Sequence, residues 1–296
     1  MRILFALLPA LLLSIQTDAA AAGKVWCNDR YLTSCRQPFD QKHLEVARRG
    51  YLYALAGALV LQTGDKEGRE HFFALPGRML EIERPARDKS GFEVAAYELY
   101  RDAARTELLE VIIAFAGAND YTDWKETNFG FSLEQYEQAR RYISRIARVE
   151  KYAGVRMVAV GYSLGGALAV HVTKHPETSN FIAEAWALNP SPKVYAKGNI
   201  DRRIWVAAVE HDALKVIRKH PFTSLPGVAR IGAPESQTAE GYYLISSSPI
   251  YAHFRWVLAR NLLHAADLAL SQADPAVEGT EPLEILKLSN FVECKN

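Results

Sequence analysis

The stretch Arg156-Met-Val-Ala-Val-Gly-Tyr-Ser-Leu-Gly-Gly-Ala-Leu-Ala-Val170 decides the architecture. An apolar β-branched run, Val158 to Val160, meets Gly161, Ser163, Gly165 and Gly166, and an Ala/Leu-rich segment takes over. This order predicts a strand, a sharp turn carrying G-x-S-x-G, and a helix. The turn is so tight that side chains beside the serine would clash, hence the glycines. Such an elbow lifts a serine hydroxyl above the sheet at a helix N-terminus. The pattern by itself is common. The strand before it and the small-residue helix after it make Ser163 a candidate nucleophile.

Outward from the elbow, strands and helices alternate. Thr106 to Phe115 is a longer apolar run, the signature of a central strand buried on both faces. Phe92 to Leu99 alternates as a further strand, Arg78 to Ser90 reads as turns around a short strand, and Gln41 to Leu61 has helical spacing. Ser132 is placed as the N-cap of a helix with Tyr136, Ala139, Tyr142, Ile143 and Ile146 on one side. After the elbow, Phe181 to Leu188, Arg203 to Val209 and Tyr242 to Ser246 read as strands. Pro249 to Leu270 reads as one long amphipathic helix with His253 in its first turn, and Leu283 to Leu288 packs back as a strand or a helix. The alternation predicts a single α/β domain over residues 23–296, with a mostly parallel central sheet flanked by helices. His43 and His71 fit no constellation and read as surface residues.

Composition bounds the function. With 296 residues, 49% of them hydrophobic, the chain can bury a large core, and a net charge of +1 without long basic runs gives no reason to expect a nucleic-acid partner. At the N-terminus, Arg2 precedes an apolar stretch from Ile3 to Ile15 and then Ala19 to Ala22, the layout of a cleaved secretory signal over residues 1–22. Export to the periplasm or the outside is the expectation. The three cysteines, Cys27, Cys35 and Cys294, then allow one disulfide and one leftover thiol, in any of three pairings. They resemble no metal or redox site, and the chemistry sketched below needs neither metal nor cofactor.

A serine hydroxyl at neutral pH needs a base, a carboxylate to orient that base, and donors for the oxyanion. In an elbow fold these partners follow in the order Ser, Asp/Glu, His, past the carboxyl ends of strands. Asp212 follows the strand ending at Val209; Glu210 is its nearest rival, and Asp201 lies at the wrong end of that strand. Of the histidines beyond, His253 sits at a helix start just after a strand, whereas His220 reads as a loop residue and His264 as an ordinary helix residue. His171 and His175 follow Ser163 too closely along its own helix to face it. The backbone N–H of Leu164, with one from Gly117 or Ala118, would form the oxyanion hole.

The segment Ile112-Ile-Ala-Phe-Ala-Gly-Ala-Asn-Asp120 with Asp123-Trp124, together with Gly161-Tyr-Ser-Leu-Gly-Gly-Ala-Leu-Ala169, resembles two motifs of the class 3 (fungal-type) lipases of the α/β-hydrolase fold. The resemblance spans Phe92 to His253. It implies an acyl-ester hydrolase with Ser163 as nucleophile, Asp212 as orienter, His253 as base, and Ala118 as the second oxyanion donor. It also implies a lid, so that Tyr121, Trp124, Phe129 and Phe131 would form an apolar entrance meeting a lipid surface. Ala116 and Ala118 stand where that family has Arg and Ser/Thr, and Tyr162 where it has His. The resemblance therefore points to a lipid or other apolar ester as substrate. The departures keep two alternatives open, a soluble esterase or thioesterase and a non-catalytic binding protein.

Overall fold

A computed structural model of the protein describes residues 39–62, 71–117, 133–219, 226–244, 249–274, 276 and 279–291. The expected signal over residues 1–22, all three cysteines, Ala118, Ser132, His220 and the expected entrance aromatics Tyr121, Trp124, Phe129 and Phe131 lie outside the described residues.

In chain order the elements are α1 (Gln41–Leu59), β1 (His71–Phe72), β2 (Met79–Glu83), β3 (Val94–Tyr100), β4 (Leu108–Phe115) and α2 (Glu134–Ile146). Then come β5 (Arg156–Tyr162), α3 (Leu164–Lys174), β6 (Glu184–Leu188), β7 (Ile204–Val209), α4 (Lys215–Lys219) and β8 (Thr238–Tyr242). The chain continues through α5 (Pro249–His253), α6 (Arg255–Ala273), α7 (Glu281–Leu288) and β9 (Asn290–Phe291). The strands β2 to β8 form one sheet in sequence order. Its first two pairings are antiparallel and the remaining four, from β4 through β8, are parallel. A short antiparallel pair, β1 with β9, stands apart from it.

Helices cover both faces of the sheet. On one face α1 and α6 pack over inward residues such as Ile112, Val158, Val160 and Trp186. On the other, α2 and α3 pack over Ile113, Ala159, Ala185 and Ala187. The two sets alternate along each strand because successive strand side chains point to opposite faces. β4 and β5 are buried on both, which is why they read as continuous apolar runs. α1 lies unusually close to the sheet: a Cβ on Gly50 would stand 2.3 Å from the Trp186 ring, and one on Gly57 would meet the Tyr162 ring at 2.9 Å.

Several expectations are corrected. The last strand of the sheet is Thr238–Tyr242, not Tyr242 to Ser246. Gly241 at φ +121° and the shift in pairing register beside it obscure the strand pattern in the sequence. The single long helix after Pro249 is two, because Phe254 adopts an extended backbone between α5 and α6. The N-cap position of α2 is held by Leu133, which makes no side-chain cap; Glu134 and Glu137 place negative charge in the first turn instead. The open choice at Leu283 to Leu288 resolves to a helix capped by Thr280. His43 and His71 are half-buried and packed against neighbours rather than freely exposed. The His43 ring contacts Asp40 at 2.7 Å and the Glu240 carbonyl at 3.2 Å, and His71 stacks on Trp256 at 4.4 Å.

Candidate active site

The carboxyl edge of the parallel strands gathers the candidate residues, because β4, β5, β7 and β8 all run toward it. β5 delivers Ser163 directly. The serine has φ +54° and ψ −117°, a conformation that L-residues avoid and that costs about 1–3 kcal/mol. The surroundings hold it there: its N–H donates to the Leu188 carbonyl at 2.9 Å, and its carbonyl accepts from Ala167 at 3.1 Å and Ser191 at 3.0 Å. The glycines permit the turn. A Cβ on Gly165 would stand 2.1 Å from the Phe115 carbonyl, and one on Gly161 would stand 2.3 Å from the Gly165 backbone.

His253 closes α5 and places Nε2 2.9 Å from Ser163 Oγ. Its Nδ1 faces Asp212 Oδ1 in a short contact. An Nδ1–H donated to the carboxylate leaves Nε2 as the acceptor for the serine proton. Asp212 lies three residues past β7, with its side chain entirely buried. Burial pushes its carboxyl up, but His253 and Arg218 outweigh burial and hold it below the usual carboxylate range. The structure thus joins Ser163, His253 and Asp212 in one hydrogen-bonded chain, and the rivals are engaged elsewhere. Glu210 pairs with Lys215 at 2.7 Å, and Asp201 pairs with Arg203 before β7. His264 is buried within α6, where desolvation and Arg260 press it down to about 3.

Leu164 opens α3, so its N–H is a first-turn donor without an intrahelical acceptor. Gly117, just past β4, abuts the elbow: a Cβ there would lie 2.8 Å from the Tyr162 carbonyl and 3.3 Å from Ser163 Cβ. The loop expected to complete the oxyanion hole therefore runs against the serine, up to the last described residue before Ala118. Tyr162 turns to the opposite face, where its hydroxyl donates to the Ala54 carbonyl of α1 at 3.1 Å. It serves the packing of α1.

Three residues at this edge escaped the sequence reading. Asn189, at φ +42° and fully buried, accepts from Val209 N–H at 3.0 Å and donates to the His253 carbonyl at 3.3 Å. It ties the end of β7 to the segment that carries the histidine. Arg218 holds Asp212, and Glu240 on β8 holds Arg218 at 3.1 Å. The dipeptide Asn189-Pro190 marked a strand end, but only strand adjacency shows what the amide bridges. Among the described residues no three His, Cys, Asp or Glu side chains gather as a metal-binding set, and no helix is long and apolar enough to cross a membrane.

Comparison with known proteins adds one local and several distant likenesses. Residues 73–187 match the phospholipase-like family described as the Tle-like phospholipase domain, a span that runs from before β2 into β6 and holds Ser163 but ends before Asp212 and His253. No curated protein matches the sequence. Among solved structures, the chain is similar to Lip2 lipase from Yarrowia lipolytica, at 14% identity over 74% of this chain and 95% of that one, with a TM-score of 0.44. A triacylglycerol lipase from Penicillium expansum shares 11% identity over 72% of this chain and 96% of its own, with a TM-score of 0.41. The Rhizomucor miehei lipase in its propeptide complex shares 13% over 77% and 81%, with a TM-score of 0.40. By its sheet and its strained serine elbow the chain has an α/β-hydrolase-type fold, and over residues 73–187 it is similar to the Tle-like phospholipase domain.

Proposed function

We propose that the chain is an exported serine hydrolase that cleaves carboxylic esters of lipids, phospholipids among them, through an acyl-enzyme. The observation that carries this reading is the unbroken chain from Ser163 Oγ to His253 to Asp212 at the carboxyl edge of the sheet. Ser163 Oγ attacks the ester carbonyl while His253 Nε2 takes its proton, and buried Asp212 stabilises the imidazolium. The oxyanion is received by the N–H of Leu164 and, in this reading, of Ala118. His253 then gives the proton to the departing alkoxide, leaving an acyl ester on Ser163. Water, deprotonated by the same nitrogen, releases the acid and restores the serine. The phospholipase-like match over residues 73–187 supports a lipid ester as substrate. The charged-then-apolar start of the sequence supports export.

A fluorophosphonate probe tests the chemistry. The mature chain is expected to be labelled at Ser163, and Ser163→Ala to lose both labelling and hydrolysis of p-nitrophenyl esters and phosphatidylcholine vesicles. A correctly folded wild-type chain that refuses the probe would favour a binding protein, the reading that Ala116 and Ala118 in the oxyanion loop invite. Activity that rises with acyl-chain length and jumps at a lipid interface supports the lipid assignment. A preference for short, dissolved esters overturns it.

A further inference from the structure

A serine triad uses one oxygen of its carboxylate, and here the second is also occupied. Asp212 Oδ1 faces His253, and Oδ2 accepts from Arg218 Nη1 on α4. Arg218 is itself held: Nε donates to Glu240 Oε1 at 3.1 Å, and Nη1 reaches the Pro190 carbonyl at 3.4 Å. Both members of the Asp212–Arg218 pair are buried, at 0% and 4% side-chain exposure. Removing two charges from water seldom stabilises a fold on balance, because desolvation consumes the Coulomb gain. A guanidinium beside the triad also opposes the positive charge that must develop on His253. Its position therefore calls for a gain at the site rather than in folding.

We propose that Arg218 is a positioning residue that locks the Asp212 carboxylate in register with His253, and that Glu240 offsets its charge. The site then runs Glu240–Arg218–Asp212–His253–Ser163 as one electrostatic chain. This rests on the serine-hydrolase reading above. Other charged and titratable groups around it have partners of their own. From α1, His43 lies against Asp40 and the Glu240 backbone; past β7, Glu210 and Lys215 pair with each other. At the start of α6, Arg255 donates to the Ala58 carbonyl at 3.0 Å, and His211 packs edge-on against Tyr243. Tyr162, before the serine, bonds α1. Among the described residues, Arg218 is the cation in contact with Asp212.

The test uses three variants of the mature chain and two readouts. One readout is the pH profile of kcat/KM and of fluorophosphonate labelling; the other is the NMR titration of the His253 imidazole. Arg218→Met, which keeps the length and removes the charge, is expected to lower kcat about tenfold with KM little changed, since a loosened orienter misaligns the base. It also moves the acidic limb to higher pH by about half a unit or more, because an opposing charge has gone. Glu240→Gln moves the limb to lower pH, because Arg218 then acts unopposed. Arg218→Lys keeps the wild-type limb and recovers part of kcat. Opposite movements are what a merely structural arginine cannot produce. If the limb stays in place in both charge variants, or moves the same way, the proposal is overturned. Should Arg218→Met fail to fold, Glu240→Gln decides alone, and an unmoved limb there overturns it. A wild type that neither labels nor hydrolyses sinks the hydrolase reading, yet opposite shifts of the His253 resonance still uphold the charge chain. Immobile resonances overturn it.

Discussion

Ser163 has its backbone on the positive-φ side at +54°, with a side chain that L-residues rarely carry there. The cost is borne locally by three backbone hydrogen bonds and by glycines whose missing Cβ atoms leave room for Phe115 and the start of α3. Gly165→Ala would push a methyl to 2.1 Å from a strand carbonyl that has no room to yield. We expect a loss of about 3 kcal/mol in urea unfolding, at the upper end of overpacking costs, and a Ser163 that no longer takes the probe. Wild-type stability in that variant would contradict the elbow geometry. Tyr162→Phe, one residue before Ser163, makes the opposite point. It removes a hydroxyl that bonds Ala54 on the far face, so about 1 kcal/mol of stability is lost while labelling of Ser163 continues. At this scale the sequence was most readable where a backbone constraint forces a residue type. Gly161, Gly165 and Gly166 announce Ser163. Arg218, Glu240 and Asn189 announce nothing, because their partners are set by which strand ends lie side by side.

The elements that carry periodic signals were legible: α1, β4, β5, α3 and β7 fall where the apolar spacing puts them, with ends moved by a few residues. The misses come from tertiary packing overriding local pattern. α5 and α6 share an uninterrupted helical spacing, yet the chain breaks at Phe254, which stacks on Trp256 at 4.4 Å. That break leaves His253 at the end of its own short helix. β8 carries Gly241 and a register shift, so its alternation is hidden. β1 and β9, two residues each, pair across most of the chain and have no pattern of their own. One element interaction yields a test. At the C-terminal end of α1 the carbonyls run out of intrahelical donors, and Arg84 Nη1 reaches that of Leu59, the last helical residue, and those of Val60 and Gln62 just past it, between 2.7 and 2.9 Å. Arg84→Ala should cost about 1.5–3 kcal/mol and increase hydrogen exchange in the last turn of α1 more than in α2. Uniform exchange across both helices would show that the arginine is not acting as a cap.

Ion pairs gather at both edges of the sheet. At the amino ends of the parallel strands, Arg156 bonds both Glu110 and Glu184, with Tyr53 and Arg49 of α1 joining from above. That network clamps α1 to the sheet at the end opposite Ser163. The two faces also each bury a histidine apart from the Ser163–His253–Asp212 chain. On the α3 face, His171 lies with Nδ1 3.0 Å from the Tyr195 carbonyl and Nε2 2.9 Å from Arg140 Nη1. Nδ1 must donate to the carbonyl and Nε2 must accept from the guanidinium, so only the neutral ring satisfies both partners. Burial, aided by the Arg140 charge, lowers its pKa to about 4, while His264 on the α6 face falls to about 3. In both cases the folded pKa lies below the unfolded value of 6.5. The unfolded chain therefore binds more protons in that window. Stability is complete above pH 6.5 and falls as the pH drops toward 4, by up to about 1.4 kcal/mol per unit for each ring. His171→Asn removes one of the two. At pH 7.5 the variant should be the less stable by about 1–2 kcal/mol, having lost the acceptor for Arg140. As the pH falls to 5 the gap should close or invert, because both proteins keep His264 but the wild type alone carries the His171 ring, which also resists protonation there. Urea midpoints of the two proteins at half-unit steps give the comparison, and parallel curves would show that His171 is not a source of acid sensitivity.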